Sequence, residues 1–244
     1  MSKVNADAIK PRDTGLDITL GATGDTTVIS ADSINTNTVK DSGGNTLFTS
    51  NGSGTLSSIN AGLKGSFLLL NTTTASTSAS VSFGSSLITS TYDVYCIKFI
   101  GVRPTDNSVK FTVNFSTDGG SNYNVTKTTT NFVAYHSISG GTDYNLAYED
   151  SGDLASETGY QSLSWNVGNV TKENTSGDLW LFNPYSTTYV KNFYSTNNEF
   201  HASNYSQNGY VAGLLETKSV INAIDFKFET GTINTGVFKL YGLL

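Results

Sequence analysis

Apolar and polar residues alternate at every second position through much of this chain. Leu16, Ile18 and Leu20 follow that period near the start, Phe111, Val113 and Phe115 in the middle, and Ile224, Phe226 and Phe228 near the end. A period of two places alternate side chains on opposite faces of a strand, so each triplet marks the inward face. The intervening Lys110, Asn114, Asp225 and Lys227 are then expected to point outward. From about residue 66 strand-like runs recur: Ser66–Asn71, Ala79–Phe83, Tyr92–Ile100, Val109–Ser116, Phe132–Ile138, Gln161–Val167, Asp178–Phe182, Val190–Tyr194, Gly209–Glu216, Val220–Glu229 and Gly236–Tyr241. Turn chemistry separates them at Gly101–Pro104, Asp118-Gly119-Gly120-Ser121, Gly140-Gly141-Thr142-Asp143 and Asn183-Pro184. Many short strands with regular turns and no helical period predict an all-β fold, a jelly-roll-like antiparallel β-sandwich over 63–244.

Residues 1–62 have a different texture. The chain holds 13 Tyr, 13 Phe and 2 Trp, and of these only Phe48 precedes residue 66. A segment so poor in rings cannot fill a private core. It nevertheless carries a weak repeat. Ala8-Ile9-Lys10, Asp13-Thr14-Gly15, a strand and Gly21–Thr26 are echoed by Thr38-Val39-Lys40, Asp41-Ser42-Gly43-Gly44, a strand through Leu47 and Phe48, and Asn51–Thr55. Two copies are too few for a monomeric solenoid. Three chains around one axis would bury the same stripes, so the expectation is an extended trimeric β shaft. A flexible low-complexity tether is the alternative.

Composition narrows the function. Ser, Thr, Asn and Gly disfavour helices, while the abundance of rings disfavours disorder. With 14 Lys and Arg against 20 Asp and Glu the net charge is −6, and the basic residues are scattered, so no nucleic-acid partner is expected. No apolar run is long enough to span a membrane, and the first residues lack the apolar core of a secretory signal. Cys96 stands alone within an alternating run and reads as a buried filler.

Several stretches resemble virion structural proteins of tailed bacteriophages, especially fibre or spike-like proteins of marine phages. Val4–Ile9 followed by Gly15–Gly21, and Asn37–Phe48, are similar to their N-terminal shaft pattern. Gly101–Asp106 and Ser116–Ser121 resemble turns of their sandwich domain, and Gly236–Leu243 resembles their last strand. The resemblance implies a homotrimer, virion attachment through the N-terminal region and an exposed C-terminal domain. It also implies a protein made in the host cytoplasm and located in the virion.

Chemistry for catalysis is sparse. His136 and His201 are the only histidines, no nucleophile elbow or phosphate loop is present, and neither a metal nor a cofactor is expected. The densest acidic stretch, Glu149-Asp150-Ser151-Gly152-Asp153 with Glu157, reads as a solvated loop, with a calcium loop or a carboxylate dyad as alternatives. The aromatic loops carry the functional candidates. Tyr144, Tyr148, Asp150, Asp153 and Tyr160 lie around the acidic loop, and Phe200, His201 and Tyr205 lie in a second polar stretch. Rings stack on sugars while carboxylates bond their hydroxyls, so these residues are candidates for contact with a host-surface glycan or protein. The expected function is a non-enzymatic virion structural protein of tail-fibre or spike type. Residues 1–35 would hold another virion protein. A capsid decoration or head-fibre protein and a small glycan-cleaving spike are the alternatives.

Overall fold

A computed structural model describes residues 37–50, 52, 53, 56–60 and 67–243. The chain divides into two compact units, Met1–Leu63 and Lys64–Leu244. The expectations for residues 1–36, among them the first repeat copy and the attachment segment, lie outside the described residues.

In the first unit β1 (Thr38–Lys40), β2 (Thr46–Ser50) and β3 (Leu56–Ile59) form an antiparallel meander. Val39, Phe48 and Ile59 stand side by side in register, which collects the apolar positions into one row. The turn between β1 and β2 is built by Asp41, whose Oδ1 accepts the backbone N–H of Gly43 at 2.9 Å and of Asn45 at 2.8 Å. Gly44 supplies the left-handed conformation, with φ +81°.

The second unit is all-β. Its strands are β4 (Phe67–Ser78), β5 (Val81–Phe83), β6 (Val94–Pro104), β7 (Val109–Ser116), β8 (Lys127–Ser137), β9 (Tyr144–Tyr148), β10 (Gln161–Val167), β11 (Thr175–Phe182), β12 (Lys191–His201), β13 (Tyr205–Leu215), β14 (Ala223–Phe228) and β15 (Ile233–Leu243). They form one large, nearly closed antiparallel sheet. Eight strands run in the order β4-β15-β6-β11-β12-β13-β8-β9 and four in the order β10-β7-β14-β5. A single pairing, Val167 with His201, joins the two segments. The four-stranded segment folds over the eight-stranded one, and rings fill the space between. Phe99 of β6 lies 5.2 Å from Phe111 of β7, Phe238 of β15 lies 5.7 Å from Phe226 of β14, and Phe193 of β12 lies 5.1 Å from Phe115 of β7. Phe111, Val113, Phe115, Ile224 and Phe226 are fully buried, as their alternation requires.

Several expectations need correction. Gly101–Pro104 is not a turn: β6 runs through it. A bulge at Ile100 and Gly101 shifts the register, and the Gly101 N–H donates to Ser176 Oγ at 2.9 Å. The stretch 197–208 is not a loop but the paired ends of β12 and β13, with a tight turn after His201. The polar Asn and Ser of this stretch suggest a loop, yet alternate positions face the interior and are satisfied there. β9 lies inside the acidic and aromatic region read as loop. Asn114 and Asp225 do point away from the rings, but neither meets solvent. Asn114 Nδ2 donates to the carbonyls of Tyr123 and Thr158, and Asp225 is covered by Tyr160.

Candidate functional site

The segment after β9 builds a rigid wall beside the four-stranded segment. β9 ends at Tyr148, leaving the first half of β8 without a strand on the side away from β13. The chain fills that edge: the N–H of Thr129 donates to Leu154 O at 2.9 Å, and Lys127 and Glu157 exchange both backbone bonds. Gly152, in a single 3-10 turn, lies directly on Trp165 and Asn131. A β-carbon there would be 2.8 Å from Asn131 Nδ2 and closer still to the indole, so only glycine lets the wall lie flat. The Gly152 carbonyl accepts Gln161 Nε2 at 3.0 Å. Asp153 is fixed at both oxygens, one accepting Asn131 Nδ2 at 2.8 Å and the other the Tyr148 hydroxyl.

The floor is the outer face of β10, β7 and β14. Ser162, Thr112 and Lys227 stand side by side across those strands, and the Glu229 N–H donates to the carbonyl of Lys110 at 2.9 Å. A chain of contacts orients Lys227. Ser82 Oγ donates to Asp225 at 2.5 Å, the Tyr160 hydroxyl donates to the other Asp225 oxygen at 3.0 Å, and Lys227 Nζ lies 4.1 Å from the centre of the Tyr160 ring. Burial and the negative Asp225 push the Tyr160 phenol well above its ordinary range, so it stays a donor. Wall and floor enclose a groove of about 330 Å³, lined among others by Lys110, Thr112, Asp153, Tyr160, Lys227 and Glu229.

The structure divides the sequence candidates between two places. Asp153 and Tyr160 line the groove and Tyr148 braces its wall, while Asp150 is exposed on the 3-10 turn and does not line it. Tyr144, His201 and Tyr205 lie at the opposite end of β9, β12 and β13. Tyr144 stacks on His136 at 5.5 Å. Tyr205 meets Tyr135 at 5.3 Å and His201 at 5.6 Å edge-on, and donates to Asp143 at 2.8 Å. A smaller hollow of about 160 Å³ there is lined by Tyr135, His201, Tyr205 and Gln207. Burial lowers the His201 pKa. Phe200 lies on the opposite face of β12 from Glu199, under Lys172 Nζ at 5.1 Å.

Sequence reasoning missed Lys110, Lys227 and Glu229. Lys110 lies on β7, Lys227 on β14 and Glu229 just after it, and only the pairing of β7 with β14 brings Lys110 to the other two. Among the described residues no group of three or more His, Cys, Asp or Glu is placed to hold a metal ion. Comparison with protein-family models, curated proteins and solved structures finds no match to this chain.

Proposed function

We propose that this chain is a non-enzymatic structural protein of a tailed-bacteriophage virion, of tail-fibre or spike type. In this reading it is a homotrimer, residues 1–35 hold another virion protein, and the second unit presents its groove to a glycan of the host surface.

The observation that carries the surface-contact reading is the lining of the groove. It mixes two ammonium groups, two carboxylates and several hydroxyls, with Leu154 as an apolar patch. The lysines and carboxylates cancel, so the groove has no strong preference for an anion. A sugar hydroxyl can donate to a carboxylate and accept from an ammonium at once, which suits this mixture. The wall and Lys227 are pre-organised, which lowers the cost of binding. Asp153 favours binding over hydrolysis: both its oxygens already accept hydrogen bonds, so it is poorly placed as a proton-transfer group.

Strand order supports the jelly-roll reading. The short segment runs β5-β14-β7-β10, with β5 and β14, its first and last strands in chain order, adjacent. Setting aside the β11–β12 hairpin, the other segment contains β6-β13-β8-β9. Two interleaved Greek keys have this alternation, with β4 and β15 added at one flank.

The test is a titration of the full chain, by calorimetry, with neutral oligosaccharides of glucose, galactose and N-acetylglucosamine. Binding of one of them, weakened at least about tenfold by Lys227→Met and by Glu229→Gln, is expected from loss of a charge-assisted hydrogen bond. No binding at millimolar sugar, or binding unchanged in both variants, would contradict the role given to the groove.

A further inference from the structure

The outer faces of the two segments differ in kind. On the four-stranded segment the outward positions are Ser82, Lys110, Thr112, Asn114, Ser162, Asp225 and Lys227, an entirely polar set, of which Thr112, Asn114, Ser162 and Asp225 are buried. On the eight-stranded segment Leu69, Tyr241, Cys96, Trp180, Tyr194 and Ala212 stand side by side in register across successive strands. The row ends in Thr130 on β8, and in the neighbouring row of the same face Tyr210 and Phe132 stack at 4.7 Å. Phe67 packs on Trp180 at 5.6 Å and on Tyr241 at 5.4 Å, and Trp180 stacks on Tyr194 at 6.1 Å. These rings touch each other yet remain open to solvent: Phe67 and Phe132 are each 42% exposed and Tyr194 41%. One shallow hollow there is lined by Phe132, Tyr194, Tyr210 and Ala212 among others, and a second by Tyr194, Phe182, Ala212 and Leu214 among others.

We infer that copies of this chain meet through the outer face of the eight-stranded segment. This deepens the trimeric reading above and rests on it. Size is the first argument. Eight strands at about 4.8 Å spacing span roughly 34 Å, and three outward residues per strand add about 20 Å, so the face offers roughly 700 Å². A stable interface covers about 800 Å² per partner, so this face, polar positions included, is of the size that one interface needs. Charge is the second argument. With a net charge of −6, copies repel one another wherever like charges approach. On β6 and β11 Lys98 lies 3.5 Å from Asp178, and Lys239 of β15 stands beside Lys98 in register, so these strands carry no net negative charge on this face. Approach through this face therefore adds no close contact between negative groups there to the repulsion set by the net charge.

The test compares the sedimentation of the full chain with that of Tyr194→Lys, Phe132→Lys and, on the other face, Lys110→Glu. The wild type and Lys110→Glu are expected to sediment as the same oligomer, and both lysine variants as monomers with an unchanged β-type far-ultraviolet spectrum. Should Tyr194→Lys fail to fold, the more peripheral Phe132→Lys decides. Trp180 adds a second readout, since its emission should shift to the red on dilution of the wild type and not in Trp180→Phe. An oligomeric wild type whose mass neither lysine variant changes would overturn the assignment of this face and leave the trimeric reading standing. A monomeric wild type would overturn both.

Discussion

Glu199 and Gln207 face each other across β12 and β13, with Gln207 Nε2 donating to Glu199 Oε1 at 3.0 Å inside the sandwich. The N–H groups of Trp165 and Asn166 also approach this carboxylate, at 3.0 Å and 3.4 Å. Among the described residues no cation joins the network, so burial dominates and pushes the carboxyl from 4.5 up to about 7.

Stability should therefore depend on pH through Glu199. Between pH 4.5 and about 7 the folded state holds the proton more tightly than the unfolded state, so this contribution is present at low pH and lost as pH rises. The full swing is on the order of 3 kcal/mol. In urea unfolding, Glu199→Gln should gain on the wild type by about that amount between pH 4.5 and pH 8. A constant difference across the range would show that Glu199 titrates normally. Asp118, held down to about 2 by Ser116 and Asn122, acts in a more acidic window and leaves this comparison clear.

Lys127 gives the opposite slope. It is fully buried, its ammonium donates to Gly159 O at 2.7 Å, and burial brings its pKa down from 10.5 to about 8. Between these values the unfolded state binds more protons, so stability should rise with pH from about 8 to 10.5. Lys127→Met should make that rise smaller, leaving the share of Lys191, whose pKa burial also lowers, and stabilise the protein by about 1 kcal/mol at pH 7, the removed charge outweighing the lost hydrogen bond. Thermal unfolding of both proteins at pH 7 and pH 10 checks it. A variant that keeps the whole rise would place its origin elsewhere.

Gly177 tests the packing of the sheet. A β-carbon there would meet the Thr196 carbonyl and come within 2.7 Å of Asn197 Cα, backbone that cannot swing aside. Gly177→Ala should cost about 2–3 kcal/mol. Gly84→Ala, where a β-carbon would meet nothing within 4 Å, should be close to neutral. Equal unfolding temperatures for the two variants would contradict the close approach of β11 and β12.

The legible and illegible parts of this structure follow from the range of the interactions involved. Alternation exposed the inward triplets of β7 and β14, because a two-sided strand writes its burial into the next few residues. β9 was hidden in the sequence because it is an edge strand, its Tyr144, Leu146 and Tyr148 all exposed and its flanks acidic. The buried Glu199, Lys127 and Lys191 were hidden as well. A charge in an alternating strand reads as outward unless its partners, here the carbonyls of Gly159, Thr217 and Ser219 and the amide of Gln207, are known. At the groove Tyr160 and Asp153 announced themselves beside the acidic loop. The floor charges came from Lys110 on one strand and Lys227 and Glu229 at the end of another, joined only by the long-range pairing of β7 with β14.

Immunoelectron microscopy of purified particles bearing this chain, with an antibody raised against the second unit, tests the central claim most directly. A fibre or spike role predicts label on appendages projecting from the tail, at a distance from the head shell. Label spread evenly over the head, or particles that carry none, would contradict it.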